Sequence, residues 1–493
     1  MRHASFQLTR NVTIAGDHGQ WSAESILAAA AAAGSVLLGF YNLQLGEAAG
    51  IVVAAVLLLR ARPDCILPLL ICHLSAREFF QTSDESTGDV AEWSLVIGGF
   101  PVSVQLVINV LAPVCVIVFL IRRPGMFHNA IRPSLLILWF LAFIPVLIGT
   151  WLGKQADNET WTRGLRFLMM IAAYLYGFVW AKRWNRSLEP IIINGLTGIC
   201  VLFLGAAVFG FYGSHLASFL LLGMAGPLAF HYFRQRSVMA TFIGVVLVIE
   251  SLLMGFRTTF TVQAICILGL VVGFLGQRQS LAFRRRSIAV VWGSTIVVLW
   301  AFVLLICLFG KQLDVNLDFL HIDDELTQTE KVQAKIFGDR LILWEPAFQQ
   351  IIDGPYFVVP TGRALELENR SWGIRGTWTF GAHNTLLEVL RQDGLFAGSV
   401  MLAILCVALF KNFQALRRSI NPLVIILSST VLAVGTVGMT TGDFPLDFNV
   451  GFLLWSFAGL AAGLHLEGGN LSKIHRRELP EGAHTADAVA RIL

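Results

Sequence analysis

Predominantly apolar runs, too long for the elements of a water-soluble core, leave this chain few choices of fold. Leu95 to Ile121, Leu188 to Tyr212 and Ser287 to Gly310 meet or exceed the roughly 20 residues needed to cross about 30 Å of hydrocarbon. Lipid offers no water to satisfy backbone N–H and C=O groups, so only helices and closed barrels span it. A barrel would show alternating segments of about ten residues, whereas these runs are apolar on every side. Charged residues make up 14% of the chain and hydrophobic ones 56%, against roughly 25% and 45–50% in soluble domains. The expected fold is an all-α polytopic membrane protein.

About fourteen candidate spans centre near residues 33, 52, 71, 108, 143, 172, 200, 223, 246, 267, 299, 397, 431 and 455. The second and third are the weakest, so the expected range is about 12–14 transmembrane helices. Short Lys/Arg-rich clusters occupy every second gap: Arg60/Arg62, Arg122/Arg123/Arg132, Lys182/Arg183/Arg186, Arg234/Arg236, Arg278/Arg284/Arg285/Arg286, Lys411/Arg417/Arg418 and Lys473/Arg476/Arg477. The positive-inside rule assigns these to the cytoplasm, and with them both termini. The alternate gaps are acidic or neutral and face outward, which in a bacterium is the periplasm. The expected organisation is a cytoplasmic segment 1–24, a transmembrane bundle 25–310, a large periplasmic loop 311–384, C-terminal transmembrane helices 385–465 and a polar cytoplasmic tail 466–493.

Several classes are set aside on composition. The net charge of +4 is small for 493 residues and sits in short inter-span clusters, so no nucleic-acid partner is expected. The seven cysteines fall in or beside apolar runs and read as small buried residues rather than a disulfide framework or zinc site. The Ala-rich run Ser25 to Tyr41 has a cleaved signal sequence as its competing reading; its late start and the apolar run that follows at once favour a retained span.

The long loop is where chemistry would concentrate. In Gly338 to Asp353, Leu341, Trp344, Phe348 and Ile351 recur at near-helical spacing, which predicts an amphipathic helix at the membrane surface with Trp344 as anchor. Arg340 stands at its leading edge, and Pro346 either kinks it or starts its better-formed half. His383-Asn384 opens the next apolar run, where Thr385 and Glu388 fit a capping box. The positive end of that helix would keep a nearby imidazole neutral and able to take a proton. Arg257, after the span Val238 to Phe256, emerges on the same outward face, with Glu250 two turns deeper on one helix face. Taken singly, each has a plainer reading: Arg340 a snorkelling interfacial cation, Arg257 a headgroup contact, His383 a loop residue.

Together these residues resemble the O-antigen ligase and polymerase superfamily of bacterial envelope glycosyltransferases. The matching pieces are Arg257-Thr258, Arg340 with Trp344 followed by Asp353-Gly354-Pro355 and Thr361-Gly362, and His383-Asn384 through Asp393-Gly394. They cover roughly residues 238–410. Phe256 stands where many members have Ser, and Val358-Val359-Pro360-Thr361-Gly362 replaces the usual Gly-x-Gly.

The resemblance implies a GT-C-like membrane fold whose periplasmic loop carries short amphipathic helices. It also implies transfer of a glycan from a polyprenyl-diphosphate-linked donor to a sugar hydroxyl at the bacterial inner membrane. The acceptor would be the lipid A core for a ligase, or a lipid-linked repeat unit for an O-antigen or exopolysaccharide polymerase. Arg257, Arg340 and His383 would be catalytic: the arginines on the departing diphosphate, which guanidinium groups bind bidentately, and His383 on the acceptor hydroxyl. Arg340, Arg257, Trp344, Asn384, Arg363 and Arg375 would contact substrate, with Arg370 a looser candidate. The loop has no Asp-x-Asp motif, and Asp323-Asp324-Glu325 reads as a solvated acidic face. Metal-independent catalysis without a cofactor is therefore expected, with membrane lipids as surroundings. The competing class is a transporter or flippase of lipid-linked glycans. That class calls for ionisable residues deep in several spans, and Glu250, His73 and Arg77 are the few candidates.

Overall fold

The computed structural model describes residues 23–74, 95–97, 100–127, 129–152, 158–208, 215–235, 237–253, 340–353, 365–369, 374–378, 384–441 and 451–478. The helices in chain order are α1 (Ala23–Tyr41), α2 (Leu43–Arg60), α3 (Ile66–His73), α4 (Val104–Arg122), α5 (Pro133–Leu152), α6 (Asn158–Lys182), α7 (Leu188–Val208), α8 (His215–Gln235) and α9 (Val238–Leu253). They continue as α10 (Arg340–Asp353), α11 (Thr385–Arg418), α12 (Pro422–Thr441) and α13 (Gly451–Glu478). Two short antiparallel hairpins accompany them, β1 (Leu95–Ile97) with β2 (Phe100–Val102), and β3 (Leu365–Asn369) with β4 (Ile374–Trp378).

Of the expected spans, those centred near 267 and 299 lie outside the described residues; the other centres fall within helices. Stretches long and apolar enough to cross a membrane are Glu24–Tyr41, Leu43–Arg60, Val104–Arg122, Leu188–Ala206 and Asp393–Arg418. Leu37, Leu59, Ile121 and Leu202 on these helices are exposed, an apolar surface that water would not tolerate and lipid does. The chain is an α-helical membrane protein.

Three expectations need correction. The run from Leu95 is not one helix. Its first residues pair as β1 and β2, with Leu95 opposite Val102, and Ser103 starts α4 by accepting the Leu106 N–H at 3.1 Å. Pro101 has no N–H to continue a helix backward, and Ser is a strong N-cap, so the break falls there. The span centred near 71 is the short helix α3, about 12 Å long and thus well short of the bilayer; it is buried along its length. The polar tail, expected to carry little structure, is helical at its start, where α13 runs on to Glu478.

Burial sorts the helices. Nearly every residue from Phe167 to Ala181 of α6, and the described stretches of α12 and α13, are covered, whereas α1, α2, α4, α5 and α9 expose one side. The α6–α13 crossing is tight. A Cβ on Gly177 would overlap Ser456 O, one on Gly459 would overlap Tyr174 O, and one on Gly463 would overlap Ala181 Cβ. Gly459 and Gly463 form a Gly-x-x-x-Gly face, the pattern that lets helices in lipid approach backbone to backbone.

Polar contacts gather several basic clusters at one end of the bundle. Glu24 at the start of α1 pairs with Arg62 at 2.8 Å and with Arg60 at 3.5 Å, beyond the end of α2. Arg183 donates to Arg60 O at 3.1 Å and Ala61 O at 3.2 Å, and its guanidinium lies 5.1 Å from the centroid of Phe119 near the end of α4. Lys182 pairs with Glu467 of α13, and Lys411 of α11 donates to Asn129 O. Asn421, before α12, donates to Glu189 at 2.7 Å in the first turn of α7. Since the membrane-length stretch of α11, Asp393–Arg418, ends at Arg418 near this cluster, its start at Asp393 lies on the far side.

Candidate functional site

The far end of α11 begins with a strong local signal. Asn384 is its N-cap, with extended backbone (φ −147, ψ 110) like that of Asn42 before α2 (φ −148, ψ 112). Its Oδ1 accepts the N–H groups of Leu386 at 3.0 Å and Leu387 at 3.2 Å. This corrects the capping box: Asn384, not Thr385, satisfies the first orphan donors. Glu388 is left to turn elsewhere. It meets Arg391 one turn on, whose Nε donates to Glu388 Oε2 at 3.2 Å while Nη2 bonds the other carboxylate oxygen. Both are almost completely covered, at 1% and 3% exposure.

The head of α11 is separated from its membrane stretch by Gly394. With φ 77 and ψ 170, this residue is not helical, and the region it occupies is one that only glycine enters freely. The head helix bends back so far that a Cβ on Gly398 would stand 2.9 Å from Val389 O.

Helix α10 docks on this head and also touches β3. It is helical through Pro346, from Arg340 to Asp353. Its packed face differs from the expected stripe. Ala347 is fully buried, Trp344, Gln350 and Ile351 are half-buried, and Phe348 and Ile352 of the same helix are exposed. The helix is thus apolar on two sides, one toward the bundle and one away from it. A polar link across the joint is Arg391 Nη1 donating to Gln350 Oε1 at 3.4 Å. A single guanidinium therefore holds Glu388 in its own helix and reaches α10.

The sequence-derived site residues divide as follows. Arg340 is the first residue of α10, Trp344 lies one turn along it, and Asn384 caps α11. Arg375 lies on β4, opposite Glu368 in the hairpin register. Arg257, Arg363, Arg370 and His383 lie outside the described residues, as do Asp323, Asp324 and Glu325. The structure joins α10, which Arg340 begins, to the head of α11, whose cap directly follows His383 in sequence. Glu250 sits on α9 against α7, where a Cβ on Gly205 would lie 3.2 Å from its carboxylate. Among the described residues, no group of three or more His, Cys, Asp or Glu is placed to hold a metal ion.

Sequence reasoning missed the Gln350, Glu388 and Arg391 set. An i, i+3 acid–base pair was visible, but nothing in sequence shows that its guanidinium reaches a second helix. It also missed Glu47, a buried carboxylate of α2 that accepts the Val104 N–H at 2.6 Å. That position at the positive start of α4 stabilises an anion, so Glu47 acts as an N-terminal cap supplied by a neighbouring helix. The chain matches no protein-family model and no curated protein.

Proposed function

We propose that this chain is a metal-independent glycosyltransferase of the bacterial inner membrane, working on its periplasmic side in the manner of O-antigen ligases and polymerases. The acceptor hydroxyl oxygen bonds to the anomeric carbon of the lipid-linked donor as the bond from that carbon to the diphosphate oxygen breaks. His383 orients the hydroxyl or takes its proton. Polyprenyl diphosphate leaves with the bonding electrons, its charge met by Arg257 and Arg340. Preorganised cations in a site shielded from water suit such a leaving group, since they need no rearrangement as charge develops. Trp344, Asn384, Arg363 and Arg375 are the further substrate contacts in this reading.

The observation that carries the reading is the joint between α10 and α11. Helix α10, begun by Arg340, is tied through Gln350 and Arg391 to a head helix capped by Asn384, the residue after His383. Two segments far apart in sequence, each bearing a candidate charge or base, meet at the end of α11 away from the basic cluster. A GT-C-like fold, cytoplasmic termini and a periplasmic loop belong to the same reading.

The surface glycan of a deletion strain tests it. A core devoid of glycan identifies a ligase, and a core bearing a single repeat identifies a polymerase. Unchanged surface glycan with repeat units held on the cytoplasmic face would replace this reading with a flippase. In a purified system, Arg340→Ala and His383→Ala should abolish transfer.

A further inference from the structure

We infer that Arg391 is a positioning residue: braced by Glu388, it fixes α10 on the head of α11 through Gln350 and thereby sets the geometry of the transfer site. The inference rests on the glycosyltransferase reading above. A salt bridge that only stabilised the head helix would need no third partner. Here Nε and Nη2 are both held by the Glu388 carboxylate, which fixes the plane of the guanidinium and aims Nη1 at Gln350 Oε1 at 3.4 Å. Such planar, bidentate anchoring leaves Arg little rotational freedom, which a lysine ammonium would keep. Beside this link Ala347 and Thr385 are fully covered.

Leverage makes the link matter. At a helical rise of about 1.5 Å per residue, Arg340 lies roughly 15 Å along α10 from Gln350, and Asn384 roughly 10 Å along the head helix from Arg391. A tilt of about 4° at the joint moves the start of α10 by about 1 Å, a displacement that lowers a rate by roughly 100-fold when it misaligns reacting groups.

The test uses the full chain in nanodiscs, with native cysteines replaced and spin labels at Ile352→Cys on α10 and Phe410→Cys on α11, both exposed positions. The distance distribution is read alongside kcat and KM for a polyprenyl-diphosphate glycan. Gln350→Ala, which leaves the buried ion pair intact, should broaden the distribution and lower kcat at least about tenfold, with the donor KM within about twofold. Gln350→Glu should restore both, because a carboxylate accepts more strongly from the same guanidinium. Replacing the pair together by Glu388→Leu with Arg391→Met keeps a packed head while cutting the link, and should match Gln350→Ala. Parental distances and kcat in both Gln350→Ala and the double variant would overturn the inference, as would a loss confined to KM or a broadened distribution with unchanged kcat. Absence of transfer by the parental protein would overturn the glycosyltransferase reading instead, and this inference with it.

Discussion

Gly459 of α13 lies so close to the backbone of Tyr174 of α6 that a Cβ added to it would overlap the Tyr174 carbonyl oxygen. The opposing atom is main chain, so no rotamer change can relieve the clash, and the two central helices must separate. Gly459→Val should therefore cost about 3 kcal/mol or more, at the upper end of overpacking penalties. Gly198→Ala is the control, because nothing stands within 4 Å of its added methyl; it should be neutral or stabilising by up to about 1 kcal/mol through helix propensity. Thermal unfolding in one detergent compares them, and equal melting temperatures for the two variants would contradict the packing argument.

The end of α2 offers a second prediction. Ala61 adopts φ 46 and ψ 40, a left-handed conformation unusual for a residue with a Cβ. Its N–H reaches back to Leu57 O and Leu58 O, Tyr176 donates to Leu58 O at 2.6 Å, and Arg183 serves the Arg60 and Ala61 carbonyls. The orphan acceptors of a helix terminus are thus satisfied by three different donor groups, two of them from α6 and the residue that follows it. Ala61→Gly relieves about 1 kcal/mol of backbone strain and loses roughly 0.8 kcal/mol of methyl burial, so stability should hardly change. Ala61→Val adds branching at a position with φ above zero and should lose about 1–3 kcal/mol. Arg183→Ala should lose about 1–2 kcal/mol, from capping and its contact with Phe119.

What the sequence revealed and what it hid follow from the physics of each signal. Basic residues at span ends are excluded from hydrocarbon, so Arg60, Arg62, Lys182, Arg183 and Lys411 could be grouped by pattern, and they do lie at one end of the bundle. Apolar composition reports length in lipid but not hydrogen bonding, which is why the run from Leu95 concealed a hairpin and α3 passed for a span. Capping is decided by competition among neighbouring polar residues; Asn384 and Thr385 both qualify, and only backbone geometry shows that Asn384 wins. Tertiary links such as Gln350 to Arg391 leave no periodic trace. Of the candidate residues, Arg340 and Asn384 stand at helix starts that the apolar pattern already marked.

Gly394 should tolerate no side chain. Its φ of 77 and ψ of 170 let the head of α11 fold back until Val389 O approaches Gly398. Gly394→Ala should cost about 1–3 kcal/mol if the bend is kept, or straighten the helix and carry Asn384 away from α10 if it is not. Under the proposed function either outcome should lower glycan transfer, whereas labels placed on α6 and α13 should report an unchanged distance. Full transfer by Gly394→Ala would show that the bend is dispensable.

The proposed metal-free mechanism has a measurable signature. Under the proposed mechanism, transfer by the purified protein should be unaltered by a chelator, because the diphosphate charge is met by guanidinium groups that stay protonated at any working pH. Arg340→Lys retains the charge but loses the planar fork, so its rate should fall between those of the parental protein and Arg340→Ala. Removing one such electrostatic group typically costs about 10²–10³ in rate, and Arg340→Ala should lose at least that much in kcat. A divalent ion that rescued Arg340→Ala would show that charge alone is needed there. Loss of parental activity on chelation, restored by added Mg²⁺ or Mn²⁺, would instead assign the leaving group to a metal and leave Arg340 with binding only.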